Sequence, residues 1–127
     1  MITSRTPGCN SILGIGRATA HQYAHNGLKA LYICDFVSDN LPALQSELQQ
    51  LNPGVDVHAR QFDASDEEAV KNVVDEALSK YGRLDVFYAN AGILGASVAV
   101  WDIGYSQFEN ILKVNVLRCV WMTGKGT

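Results

Sequence analysis

Charge of either sign is scarce in this sequence. Only 18% of its residues are Asp, Glu, Lys or Arg, and they leave a formal net charge of -3. A chain so balanced has no general electrostatic pull toward nucleic acid or an anionic membrane. No apolar run approaches the roughly 18 residues that span a bilayer. The stretch Met1 to Gly8 is polar and holds no apolar segment of the kind a secretory leader needs. Cysteine is sparse as well. Cys9, Cys34 and Cys119 are odd in number and far apart, with no Cys-x-x-Cys spacing. That pattern argues against a zinc site or a redox pair, and for buried or incidental thiols in a reducing compartment. The cytosol (a cytoplasmic address) is the expected location.

What is present is a chain of 127 residues, 47% of them hydrophobic, which suits one soluble domain, residues 1–127, with one modest core. Apolar runs with strand character alternate with helical patterns, as in βαβ units around a parallel sheet. The first helix is predicted from about Gly16 to Asn26, with Ile15, Thr19 and Tyr23 recurring every fourth residue and Gly27 placed to end it. Lys29 to Cys34 reads as a short buried strand ending at Asp35. Leu41, Leu44, Leu48 and Leu51 form the stripe of a second helix, and Asn52-Pro53-Gly54 breaks the chain after it. Val55 to Phe62 reads as the next strand. Ser65 and Glu68 have capping-box spacing, with Asp66 and Glu67 favouring the helix start. Ala69, Val70, Val73, Val74, Ala77 and Leu78 are its predicted buried face, and Lys80 and Gly82 suit its end. Asp85 to Ala89 is a further predicted strand. A last helix is expected from about Tyr105 toward Met122, with Phe108, Leu112 and Val116 on one face.

The chemistry sits at the ends of the strands. Gly14-Ile15-Gly16 opens the first helix, with Gly8 upstream. Glycines there let the backbone turn sharply and approach a pyrophosphate, which the free N–H groups and positive end of a helix attract. Taken alone, the pattern also describes an ordinary tight loop. Asp35 closes the second strand 19 residues after Gly16. An acidic residue at that distance accepts hydrogen bonds from ribose hydroxyls in dinucleotide folds. A 2′-phosphate would meet a like charge there, at a cost on the order of 4 kcal/mol for a pair at about 4 Å and an effective dielectric of about 20. Leu13 offers no compensating positive charge. NAD is therefore expected over NADP. The plainer reading is that Asp35 starts a turn. Asp63 ends the third strand, where its carboxylate suits an adenine amino group and equally a helix N-terminus. Asn90-Ala91-Gly92 follows the fourth strand, at the edge where such sheets bind ligands; it also describes an Asn/Gly turn. The order of the four features is stronger than any one of them.

With these residues in place, GIGRATA, CDF, FDAS, YANAGIL and KVNV together resemble the short-chain dehydrogenase/reductase family, from about Gly8 to Val120. The resemblance implies a Rossmann-like doubly wound parallel sheet. It implies Gly8, Gly14, Ile15 and Gly16 as a phosphate loop, Asp35 at the adenosine ribose, and Asp63 with Ala64 at the adenine. Asn90, Ala91 and Gly92 match the family's Asn-Asn-Ala-Gly element, with Ala89 in place of its first Asn. Asn115 matches the helix asparagine that supports a water-linked proton relay. A helix polar group satisfied by a backbone carbonyl is its plainer reading. The implied activity is hydride transfer between NAD(H) and a small-molecule carbonyl or alcohol.

Three departures accompany the resemblance. The family's Thr-Gly-x-x-x-Gly-x-Gly falls on Cys9-Asn10 by strict spacing, or on Pro7-Gly8 with a loop two residues longer, which keeps Gly8 in its role. The first strand, which belongs mid-sheet, has only Met1 and Ile2 as large apolar residues in MITSRTP, so residues 1–6 are expected to give a weak or missing strand. None of the five tyrosines has Lys four residues on, so the Tyr-x-x-x-Lys pair is lacking. The sequence thus reads as a truncated member with the C-terminal strands and helices absent, one that retains cofactor binding and is inactive alone. A non-catalytic nucleotide-binding or interaction module, and a non-functional fragment, are the alternatives. His21 and His25 have helical metal-ligand spacing but no third partner, and a solvated face accounts for them. Trp101 and Trp121 are candidate interface residues, since exposed Trp is enriched in hot spots, and the resemblance implies that the last helix, with Trp121, pairs between subunits of a homo-oligomer.

Overall fold

The computed structural model describes residues 2–4, 14–96 and 98–117. Four strands form one parallel sheet in the order β3-β2-β1-β4: β1 is Ile2–Ser4, β2 Ala30–Asp35, β3 Asp56–Gln61 and β4 Tyr88–Ala89. The helices are α1 (Ile15–His25), α2 (Leu41–Leu51), α3 (Glu67–Tyr81) and α4 (Tyr105–Leu112). A 3-10 turn spans Val100–Asp102, and a π-helical turn, Lys113–Leu117, continues α4. No described helix is long and apolar enough to cross a membrane.

β2 shows why the sheet must be covered on both sides. Its run is apolar almost without a break, as a strand buried on both faces requires. Leu31 and Ile33 pack toward one face, with Ala20 and Ala24 of α1 and Leu41, Leu44 and Leu48 of α2. Tyr32 and Cys34 pack toward the other, with Val70, Val73 and Ala77 of α3. Cys34 is a free, buried thiol, and burial pushes its pKa up to about 12. Cys9 and Cys119 lie outside the described residues. Both glycines expected to end helices, Gly27 and Gly82, have positive φ, 79° and 75°, where a Cβ is strained.

Several boundaries and faces differ from expectation. The weak first strand is present, but only three residues long. It pairs Ile2 with Ile33, Thr3 with Cys34 and Ser4 with Asp35 on one side, and Ile2 with Tyr88 and Thr3 with Ala89 on the other. The expected strand over Asp85–Ala89 is narrower in the structure, Tyr88–Ala89, the two residues that pair with Ile2 and Thr3. Leu51 is 65% exposed: at about 100° per residue it keeps to the face of Leu44 and Leu48, but it is the last residue of α2. Leu78 is likewise exposed on α3, whose buried residues are Val70, Val73 and Ala77. The N-cap of α3 is Asp66, whose side chain accepts from the backbone N–H of Glu68 and Ala69. The Ser65 hydroxyl instead donates to Asp63, so the cap falls one residue later than the expected Ser65–Glu68 box, on Asp66.

The outer end of the sheet carries an aromatic and charged cluster. His58 of β3 stacks on Tyr32 at 4.6 Å between ring centroids, and its Nε2 lies 2.7 Å from the Tyr81 hydroxyl. That hydroxyl donates to Asp56 Oδ2 at 2.9 Å, while Lys80 Nζ stands 3.4 Å from the same His58 nitrogen. Arg60 and Glu76 form a forked ion pair alongside. Burial, then the Lys80 and Arg60 charges, hold the His58 pKa below its ordinary value of 6.5. The unfolded chain therefore binds more protons near that pH, so this contribution to stability is complete above about pH 6.5 and is lost as the pH falls through the folded value. The melting temperature is expected to fall by a few degrees between about pH 7 and pH 5, and less steeply in His58→Gln. Parallel melting curves for the two proteins across that range would contradict this.

Candidate cofactor-binding site

Because all four strands run parallel, their C-terminal ends lie along one edge of the sheet, and the predicted residues gather there. The chain builds outward from β1 to β2 and β3 on one side and places β4 on the other. The edge between β1 and β4 is thus the point where the strand order reverses, the place where open sheets of this kind bind ligands.

Gly14 occupies the N-cap of α1 and, having no side chain, does not cap the first turn; no acidic residue stands in that turn either. Its carbonyl accepts from the Ala18 N–H at 3.2 Å. Gly16 is buried, so a glycine is packed at the start of the helix, while Ile15 is 70% exposed. Gly8 and Leu13 lie outside the described residues. Further along α1, Arg17 binds Glu47 of α2 through Nη2 at 2.5 and 2.6 Å, and His21 Nε2 lies 3.3 Å from the same carboxylate. The α1–α2 pair is thereby joined through Arg17 and through His21, which sequence reading had placed on a solvated face. The signal was a basic face on one helix and a single glutamate on the next, which cannot be matched without knowing that the helices touch.

Asp35 is buried, 4% exposed, at the end of β2. Its Oδ1 accepts from the Val37 N–H at 2.9 Å, and its carbonyl accepts from Phe62 N–H at 3.0 Å, tying the ends of β2 and β3 together. Both readings of Asp35, turn-starter and ligand group, are thus compatible with one carboxylate. Asp63 Oδ1 accepts from the N–H and hydroxyl of Ser65 at 2.8 and 2.7 Å. That shapes the turn into α3, and Ala64 beside it is buried.

On the far side, Asn90, Ala91 and Gly92 follow β4, with Ala91 buried and the other two half-buried. Asn115, in the π-helical turn, holds this loop. Its Oδ1 accepts from the Ile93 N–H and its Nδ2 donates to the Ile93 carbonyl, both at 2.9 Å. A Cβ on Gly92 would come within 3.3 Å of the same Oδ1, and one on Gly95 (φ 80°) within 2.6 Å of Ile111. The loop after β4 thus lies flat on α4 because glycine allows the approach. Sequence reading chose Asn115 and missed Ile93 as its partner; nothing local in either residue announces a pairing 22 positions apart.

The chain matches the family model for short chain dehydrogenases over residues 10–126. It belongs to the short-chain dehydrogenase family. Levodione reductase of Leifsonia aquatica is 33% identical over 109 residues, covering 86% of this chain and 40% of that protein. A solved NAD+-bound xylitol dehydrogenase superposes with a TM-score of 0.77 at 28% identity, covering 96% of this chain and 44% of the other. An alcohol dehydrogenase from the archaeon Thermococcus sibiricus, solved with 5-hydroxy-NADP, gives 0.78 at 30% identity, covering 98% and 51%. This short-chain dehydrogenase chain therefore spans about half the length, or less, of the relatives it matches, and its sheet is the Rossmann-type sheet of those structures.

Proposed function

We propose that this chain binds NAD(H) along the C-terminal edge of its sheet and, as part of a short-chain dehydrogenase, serves hydride transfer between that cofactor and a small-molecule carbonyl or alcohol. The observation that carries the reading is the buried carboxylate of Asp35, standing at the end of β2 beside a helix start that has neither capping side chain nor acid. In this proposal Gly14, Ile15 and Gly16, with Gly8 upstream, receive the pyrophosphate on backbone N–H groups. Asp35 accepts from the ribose hydroxyls, and Asp63 with Ala64 borders the adenine. Asn90, Ala91 and Gly92 form the opposite wall. Asn115 works through that wall: its grip on Ile93 fixes where the loop stands, so it is a positioning residue here. The nicotinamide ring, when bound, accepts or gives the hydride. Known relatives include both an NAD-bound and an NADP-type complex, so the choice between them rests on Asp35, whose charge repels a 2′-phosphate.

A thermal melt with and without saturating NADH and NADPH tests the reading. Ligand at about 100 times its dissociation constant adds about 2.7 kcal/mol of apparent stability. The expected result is a cooperative melt raised by NADH more than by NADPH. Equal shifts would remove the assignment of NAD, and no shift with either would remove the cofactor.

A further inference from the structure

Among the described strands β3 has one partner, β2, and so stands at the end of the sheet. Such an edge presents a row of backbone groups with which another extended chain can pair. The register shows which groups these are. The N–H of Asp56 donates to the Lys29 carbonyl and that of Phe62 to the Asp35 carbonyl, so the even-numbered positions of β3 turn toward β2. Peptide groups alternate along a strand, so Val57, Ala59 and Gln61 turn theirs outward.

Two of those outward carbonyls are taken by side chains. Gln45 of α2 donates from Nε2 to the Val57 carbonyl at 2.7 Å. Arg60 donates from Nη1 to the carbonyl of its own neighbour, Ala59, at 2.8 Å. The guanidinium is fixed there from behind. Glu76 of α3 accepts from its Nε at 3.0 Å and from its Nη2, and its central carbon lies 5.8 Å from the centroid of the Tyr32 ring.

The partner that this strand suits is a second copy of itself. Two copies of Asp56–Gln61, laid antiparallel with His58 opposite His58, set Asp56 of each against Arg60 of the other. That gives two opposite-charge cross-strand pairs. A two-fold axis one residue on, at Ala59, sets His58 against Arg60 instead and loses both. In the first register Val57 stands opposite Ala59 of the other copy, and the two exchange both backbone bonds. The carbonyls this needs are those of Val57 and Ala59, the same two that Gln45 and Arg60 cover.

We propose that the outer edge of β3 is a self-pairing surface for a second copy of this chain, and that Gln45 and Arg60 hold it shut by occupying the carbonyls the pairing requires. Gln45 is the cleaner of the two guards to remove, because Arg60 also neutralises Glu76.

The test compares self-association of the unaltered chain, Gln45→Leu, Gln45→Lys and the double variant Gln45→Leu/Ala59→Pro by sedimentation across a concentration series. Leucine keeps the bulk of the side chain but has no N–H to give, whereas lysine restores a donor. Proline at position 59 removes an outward N–H and leaves the bonds to β2, which use the even-numbered positions. Gln45→Leu is expected to associate about tenfold or more tightly than the unaltered chain, since the freed carbonyl is used twice across the axis. Gln45→Lys and the double variant are expected to behave as the unaltered chain does. In the associated form, exchange of the Val57 and Ala59 amides should slow by about tenfold. Equal association of all four proteins would overturn the proposal. So would association of Gln45→Leu that leaves those two amides unchanged, or that persists with Ala59→Pro. If Gln45→Leu precipitates, the double variant decides: a soluble one supports closure of the edge, and an equally insoluble one overturns it.

Discussion

Asp35→Asn is expected to weaken NADH binding by about 10- to 100-fold while leaving NADPH binding unchanged or improved. A hydrogen bond to a charged group contributes about 1.5–3 kcal/mol, and each 1.4 kcal/mol is tenfold in affinity. The amide removes the charge but keeps an oxygen that can still accept from the Val37 N–H, so the turn after β2 survives the change. The charge is what disfavours a 2′-phosphate, so the ratio of the two affinities is the diagnostic quantity. Titration of both cofactors against wild type and variant at one salt concentration measures it. An unchanged ratio would mean that Asp35 only shapes its turn, and the NAD assignment would lose its support.

Leu48→Ala is expected to cost about 2–5 kcal/mol of folding stability, the range for truncating a fully buried leucine. Leu48 is 0% exposed, at the centre of the cluster that α1 and α2 form on the sheet. Typical domains have about 5–15 kcal/mol in total, so the melting temperature should drop by on the order of 10 °C. Leu51→Ala, one turn away and exposed, is expected to stay within about 0.5 kcal/mol. Urea unfolding of the two variants checks the contrast. Similar losses would show that the stripe packs differently from the description above.

What the sequence disclosed follows from how local each feature is. The alternation of strand and helix was legible because each element carries its own period. The cofactor-edge residues were legible because Gly14, Asp35, Asp63 and Asn90 all stand at strand or helix ends, where sequence position and spatial position coincide. The features that were not legible depend on a partner elsewhere. Leu51 and Leu78 have the right spacing for burial, yet no described element buries them. The bond from Asn115 to Ile93 and the salt bridge from Arg17 to Glu47 each require two segments to meet, and neither segment alone encodes the meeting. Ser65 and Asp66 are both competent caps, and the choice fell to the one whose neighbour, Asp63, could occupy the other.

The uneven ladder also divides the molecule mechanically. β2 and β3 pair from Ala30 to Asp35, whereas among the described residues β4 pairs with the sheet at Ile2 and Thr3. A fluctuation that frees those two residues detaches β4 from its neighbours' backbone while β2, β3 and α2 stay folded, a sub-global opening rather than a global one. Gly14 and Asp35 belong to the tenacious part, and Asn90–Gly92, with the helix they rest on, to the part that opens. A dinucleotide held by both would bridge the seam and act as a fastener, so that cofactor affinity and the integrity of the β4 side would rise and fall together.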